Sequence, residues 1–475
     1  MYKNRVRIYK SLKGKKEIEG QRYCIYWMQQ AQRTHYNHAL TYAVELANRF
    51  ELELVVFFGI SPSYPQANLR HYSFMMEGIK EVIKELDKLN IGWCVGNGSP
   101  EESITGLLPF ARVLVMDKGY TKVQREWRKQ VVKKADDHNI QGVYEIETDL
   151  IVPVETTSQK EEYAARTIRP KIMSRLKEYL VDFEEKVLDR PVSEKTQNHL
   201  SQLFPLFKGE DIVDINSYLN SLPINKEVEV SPVYKGGYSH AIKALSRFME
   251  YGLYHYDESN IPGKDYTSKM SLYLHFGQIS PIEIIVRIQD YVAVNPVSQK
   301  AIDSYMEQLC VRRELAYNFC YYREGYDTFH KMTYTWAYET MKSHELDYRP
   351  TVYTLDQLES YNTHDSYWNA AMKEMVVTGY MHNYMRMYWC KKIIEWSPSH
   401  EKAYEWSVYL NNKYFIDGRN PNSYVGIAWC FGLHDHGWKE REIFGKLRYM
   451  NDKGLKRKFD MQAYIDRVND LITPH

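Results

Sequence analysis

Short apolar runs alternate with amphipathic stretches along the first third of the chain. Runs at residues 23–28, 52–58, 91–95, 113–116 and 143–146 have the length and β-branched or aromatic content of buried strands. The segments between them, 37–48, 73–89 and 121–138, repeat their apolar positions at helical spacing. This order predicts a parallel five-stranded sheet covered by helices, a Rossmann-like α/β domain over residues 1–150. Residues 151–230 are polar and punctuated by Pro153, Pro170, Pro191, Pro205 and Pro223, which reads as a connector wrapped on the surface. From 231 to 475 strand-like alternation nearly disappears, so the second domain is expected to be all-α.

Composition narrows the chemistry. The 475 residues exceed the size at which one core usually stops growing. The 41 Tyr, 10 Trp and 18 Met favour stacking surfaces and polarizable, redox-capable interiors. A net charge of +1 gives a weak overall field, so a nucleic-acid partner would need locally concentrated charge. Cys24, Cys94, Cys310, Cys320, Cys390 and Cys430 form no C-x-x-C pair or zinc spacing and read as reduced core thiols. The pair His434 and His436 is poorly spaced for one ion, and no metal is expected. The basic N-terminus lacks an apolar signal region and no run approaches a membrane span, so the expectation is a cytoplasmic monomer without membrane contact.

Neither a G-x-G-x-x-G after the first strand nor a P-loop is present, so ordinary dinucleotide binding in the N-terminal domain has no sequence support. The chemistry concentrates in the second half. Trp389 and Trp396 lie two helical turns apart, with rings roughly 10 Å apart on one face, and Arg386 shares that face. Trp368 is 21 residues before Trp389, roughly 31 Å along an unbroken helix, so it joins them only if the chain folds back, with Thr378-Gly379 the weakest helical point. Spacing alone favours an aromatic core stripe. Thr267, Ser268 and Ser271 could grip a pyrophosphate at a helix start, though such hydroxyls are usually caps.

Seven strings occur together and in order: Y-W-M-Q-Q-A-Q-R (26–33), A-N-L-R-H-Y-S-F-M (67–75), R-T-I-R-P-K-I (166–172), Y-L-H-F-G-Q-I-S (273–280), V-R-R-E-L (311–315), M-R-M-Y-W (385–389) and I-F-G-K-L-R-Y-M-N (443–451). The set resembles class II cyclobutane pyrimidine dimer photolyases over essentially the whole chain. The resemblance implies a helical domain holding U-shaped FAD, reduced in its active form. It implies light-driven electron transfer that splits a flipped-out cyclobutane dimer in UV-damaged DNA. By the same resemblance Tyr254, Thr267, Ser268, Lys269, Met270, Ser271, Arg386, Asn411 and Asp417 would hold the cofactor, with Asn411 near flavin N5. Trp389, Trp368 and Trp396 would form the photoreduction chain, with Tyr353 left open as a further member. Glu314 would hydrogen-bond the lesion and, with Asn411 and Arg386, serve catalysis.

Between Lys439 and Lys458 eight basic residues stand against three acidic ones, which makes Arg441, Lys446 and Arg448 phosphate-binding candidates and Trp429 a base-stacking one. Four positions depart from the family pattern: Ser259 and His436 stand where arginine is usual, Leu272 replaces the usual proline, and Asn420 stands for aspartate. A cryptochrome-like photoreceptor that kept the light chemistry and lost the substrate is the alternative. A deazaflavin-type antenna in the N-terminal domain is left open.

Overall fold

The structure, a computed structural model, describes residues 2, 4–12, 19–181, 183–205 and 214–472. The five expected strands form, as β2 (Tyr23–Trp27), β3 (Glu53–Ile60), β4 (Gly92–Asn97), β5 (Ala111–Asp117) and β6 (Gly142–Ile146). All pair in parallel, and β2, β3, β5 and β6 are buried along their whole length, as strands sandwiched between helices must be. The expectation of five strands is corrected by a sixth. β1 (Val6–Lys10) adds to the edge antiparallel to β6, Val6 facing Ile146, giving the order β1-β6-β5-β2-β3-β4. It was missed because an edge strand with Ile8 and Tyr9 exposed has no apolar run to reveal it.

Helices α1 (His38–Phe50) and α2 (Leu69–Lys88) contribute Leu40, Val44, Val82 and Leu86 to the core on one face of the sheet. Helix α3 (Lys122–Asp137) places Val131 and Ala135 against the other. Asn37 starts α1 by accepting the Leu40 N–H at 3.0 Å.

The connector differs from a surface wrap. Ile151, Val152, Ala165, Ile168 and Ile172 are buried in one core with Leu245, Met270 and Ile285 of the helical half, while Leu200 packs beneath the sheet. Pro170 lies inside one of its helices, Ala165–Met173, which still turns Ala165, Ile168 and Ile172 inward, so polarity averaged over the segment misleads. Beyond Ile146 the described residues hold helices and only isolated β-bridges. No described helix is long and apolar enough to cross a membrane.

Buried arginines fasten the two halves together. Arg33 donates to the carbonyls of Gly277 and Thr148, both at 2.9 Å, and Arg70 donates to Tyr414 O at 3.0 Å and Val376 O at 2.7 Å. Gly277 sits at φ +65, and a Cβ there would lie 2.2 Å from Gln30 O, so only glycine permits this close approach.

Candidate active site

A cleft in the helical half encloses about 290 Å³, at the lower edge of the roughly 300–1,000 Å³ of ordinary small-molecule sites. Its floor begins with the segment leading into α4 (Met270–His275). Lys269 takes a left-handed conformation, φ 59, that turns the chain into the helix. Its Nζ bonds Asp265 at 2.6 Å and Thr267 Oγ1 at 2.7 Å and lies 4.2 Å from the Tyr380 ring centroid. Burial alone would lower the Lys269 pKa, but Tyr380, Tyr234 and Asp265 outweigh it and hold the ammonium charged. Ser268 Oγ accepts from Tyr305 Oη at 3.3 Å, fixing the hydroxyl row.

The opposite wall comes from α7 (Asn383–Trp396) and the turn after α8 (His400–Tyr414). Arg386 reaches Asp417 Oδ1 from both Nη1 and Nη2 at 3.2 Å, and its guanidinium lies 3.9 Å from the Phe415 centroid. The pair fixes a planar cation at the cleft wall. Asn411, on the last turn of α8, lines the same space and donates to Asn412 Oδ1 at 2.9 Å. Thr267, Ser268, Lys269, Met270, Ser271, Arg386, Asn411 and Asp417 therefore all line one cleft.

The tryptophans converge as well. Helix α6 (Ser366–Thr378) ends at Gly379, φ 79, and the chain reverses there into α7, at the weak helical point expected from the sequence. The reversal brings Trp368 Nε1 within 3.0 Å of Trp389 O and sets the Trp368 and Trp396 rings 5.6 Å apart between centroids. All three indoles are buried, and Trp389 alone of them lines the cleft. Beyond Trp396 stands Tyr353, edge-on at 5.4 Å. The row thus runs from the cleft wall to a partly exposed phenol.

Two expected site residues lie elsewhere. Tyr254 points away from the cleft, its hydroxyl 3.2 Å from that of Tyr291, and Tyr256 lines the cleft instead. They flank His255, whose φ of −117 and ψ of 17 kink the stretch Leu253–Glu258, so the two phenols leave it on different sides. Glu314, on α5 (Arg313–Tyr322), is outside the cleft lining. Its Oε1 accepts the N–H groups of Ile151 at 2.6 Å and Val152 at 3.3 Å, which ties it to the connector. A π-helical turn, Glu307–Arg312, precedes α5 and shifts the phase of the helix, so Gln308, Arg312 and Arg313 face the cleft.

Burial pushes the Glu314 carboxyl up to about 8, against the pull of Arg313, the two backbone N–H groups and Arg5. The folded pKa lies above the ordinary value of 4.5, so the folded chain binds the extra proton. Glu314 then contributes stability that is complete below pH 4.5 and is lost as pH rises through about 8. Glu314→Gln is expected to flatten the fall in stability across that window, a difference of order a few kcal/mol by pH 8. Denaturant melts of both proteins at several pH values check this, and parallel curves would refute it.

A protein-family model described as DNA photolyase matches residues 24–191. A deoxyribodipyrimidine photo-lyase of Methanothermobacter thermautotrophicus is 42% identical over 451 residues, covering 95% of each chain. The chain belongs to the DNA photolyase family. A deoxyribodipyrimidine photo-lyase of Arabidopsis thaliana is 37% identical, covering 94% of this chain and 89% of its own. Among solved structures, a bacterial class III photolyase from Agrobacterium tumefaciens superposes with a TM-score of 0.67 at 18% identity, over 95% of this chain and 87% of its own. A Synechocystis cryptochrome gives 0.71 at 15%, over 95% and 89%. Both share the fold of an α/β domain followed by a large helical one.

Within this photolyase-family chain the basic stretch is a loop followed by a short helix, Asp452–Lys458. Lys439, Arg441, Lys446, Lys453, Lys456, Arg457 and Lys458 are all exposed. Trp429 is half-buried, with Lys391 Nζ 5.7 Å and the Arg448 guanidinium 5.4 Å from its ring centroid. The exposed indole is Trp438, 41% accessible and stacked on His436 at 5.0 Å. Sequence reading missed it because nothing local separates a core tryptophan from a surface one. His434 is half-buried, and desolvation of its ring lowers its pKa to about 3. Among the described residues no cluster of His, Cys, Asp or Glu could hold a metal ion. All six cysteines are buried and unpaired. Of the departures, Leu272 is a core residue and Asn420 starts α9 (Pro421–Cys430) by accepting Asn422 N–H at 2.7 Å. The carbonyl of Ser259 is 3.0 Å from His382 Nε2.

Proposed function

We propose that the chain is a class II deoxyribodipyrimidine photo-lyase, a lyase that repairs cyclobutane pyrimidine dimers in UV-damaged DNA under light. The carrying observation is that near full-length identity of 42% to a photo-lyase coincides with a cleft into which Trp389 opens, backed by Trp368 and Trp396. Residues 1–150 serve as the antenna-type domain, 151–230 as the connector and 231–475 as the catalytic domain.

FAD fits this cleft by its donor set. Lys269 and Arg386 are the cations a pyrophosphate and an electron-rich ring require, Thr267, Ser268 and Ser271 supply hydroxyls, and Asn411 offers an uncharged amide beside Asp417. When bound and reduced, it would supply a light-excited one-electron donor. The remaining work belongs to the chain. Arg386, held by Asp417, orients the ring edge without reorganising, and Met387, Phe415 and Ile427 keep water from it. Gln308 and Arg312 present an amide and a guanidinium from the π-helical turn toward a lesion entering the cleft, a position Glu314 does not occupy. The exposed cations from Lys439 to Lys458 grip the phosphates. The strained cyclobutane ring needs one added electron to lose its two inter-base C–C bonds, and the electron then returns, so no acid–base pair or net redox change is required.

The candidate place for a second chromophore is the crevice beyond the carboxyl ends of β2 and β3, with Gln30, Tyr64, Trp127 and Arg419 among its walls. In this sheet β2 is the strand from which the order runs both ways, where ligands of open α/β sheets bind. A Sulfolobus tokodaii photolyase of TM-score 0.67 and 15% identity, covering 94% of this chain and 89% of its own, was solved with two FAD molecules. A deazaflavin-type pigment is the proposed occupant here.

Anaerobic illumination of the reduced, flavin-loaded chain with a thymine-dimer oligonucleotide tests the function. Absorbance of the intact pyrimidines is expected to return under light and stay flat in the dark. A flavin-loaded chain that leaves the dimer untouched would instead act as a cryptochrome-like photoreceptor.

A further inference from the structure

The outer end of the tryptophan row carries a feature that the repair reaction itself does not use. Tyr353 is anchored there by its backbone N–H, which donates to Trp396 O at 3.0 Å. Its phenol oxygen is bonded twice to one residue. It accepts the backbone N–H of His364 at 2.9 Å, and it lies 2.7 Å from His364 Nδ1. Because the backbone bond occupies an oxygen lone pair, the phenolic hydrogen is the group left to point at a neutral imidazole. The imidazole is exposed, nearly parallel to the phenol ring at 25°, and its centroid lies 5.3 Å from that of Trp396.

This geometry answers a specific difficulty. A buried indole that loses an electron becomes a cation, and Lys392 Nζ, 5.2 Å from the Trp396 ring, makes a positive charge there costly even with Glu395 paired to the lysine at 2.7 Å. A phenol can take over that charge only by shedding its proton as it is oxidised, which needs a base already in hydrogen-bond contact.

Resting on the photoreduction relay proposed above, we propose that His364 is the proton acceptor that lets Tyr353 end the relay as a neutral radical. One electron passes from Tyr353 to the oxidised Trp396, which returns to its neutral state. The Tyr353 O–H bond breaks, an N–H bond forms at His364 Nδ1, and the single positive charge moves from indole to imidazolium. The exposed ring then exchanges its proton with water. While it remains charged, the imidazolium beside Trp396 opposes return of the electron vacancy, so the separated state outlives direct recombination. His364 is thus a positioning and proton-accepting residue for photoreduction and has no part in lesion binding.

His364→Ala isolates this role, because the backbone N–H that positions the phenol is retained. The full-length, flavin-loaded chain is flashed anaerobically without an added reductant, and trapped radicals are identified by electron paramagnetic resonance. The parent is expected to yield a tyrosyl radical whose formation slows in D₂O. His364→Ala and Tyr353→Phe should lose that signal and retain a short-lived tryptophanyl one, and free imidazole should restore the tyrosyl signal to His364→Ala alone. In parallel, the ¹⁵N resonance of His364 Nδ1 should shift in Tyr353→Phe. A full tyrosyl yield in His364→Ala, or a tryptophanyl radical with no tyrosyl successor in the parent, overturns this proposal and leaves the relay standing. Absence of any tryptophanyl radical in the parent overturns both.

Discussion

Trp389→Phe is expected to abolish light-driven reduction of the bound flavin, slowing it at least about a hundredfold, equivalent to roughly 3 kcal/mol of barrier. Trp389 is the one member of the row that lines the cleft, and Trp368 touches it through its backbone carbonyl, which phenylalanine keeps. The change therefore removes the redox-active ring without dismantling the row. Its structural cost is confined to the Nε1 contact with Met372 Sδ at 3.3 Å and a small loss of volume, about 1 kcal/mol for the hydrogen bond. Protein reduced chemically in the dark should repair a dimer at the parental rate, since the relay only restores the reduced cofactor. The measurement is flavin absorbance under anaerobic illumination, paired with single-turnover repair by pre-reduced protein. Parental photoreduction in the variant would remove Trp389 from the path, and a parallel loss of repair would make it part of the lesion chemistry instead.

Asp417→Ala should release the cofactor. The Asp417 carboxylate is nearly enclosed, with 6% of its side chain accessible, whereas Arg386 keeps 24%. Breaking a fully buried pair costs about 3–5 kcal/mol. Access of water to Arg386 reduces this to roughly 1–3 kcal/mol, still a tenfold to hundredfold loss of flavin affinity. The freed guanidinium also loses the hold that keeps it 3.9 Å from the Phe415 ring centroid. Asp417→Asn, which keeps an acceptor and loses the charge, should fall between. Flavin retained through purification, together with the melting temperature with and without added FAD, separates a binding defect from a folding one. Undiminished flavin content in Asp417→Ala would remove the pair from the binding site.

Stability and function draw on different residues of one helix, and Glu314 shows why a motif alone misassigns them. V-R-R-E-L is legible as a unit, and two of its members, Arg312 and Arg313, do face the cleft. The π-helical turn before α5 is not written in any local pattern, yet it decides that Gln308 looks into the cleft while Glu314 looks back to Ile151. Tyr254 fails for the same kind of reason, a kink at His255 that turns Tyr256 rather than Tyr254 into the cleft.

The amino-acid sequence by itself determined where the chain buries itself: five apolar runs became parallel strands, the stretches between them became covering helices, and Gly379 became the reversal point. Those are short-range matters of hydrophobic period and backbone freedom. What lies far apart in sequence was decided only in three dimensions. Asp417 meets Arg386 across 31 residues, Tyr353 meets His364 and Trp396, and β1 finds β6 across most of the α/β half. Contacts of that kind depend on how helices and strands pack once formed, because loop closure and interlocking side chains, rather than local periodicity, select which distant groups touch.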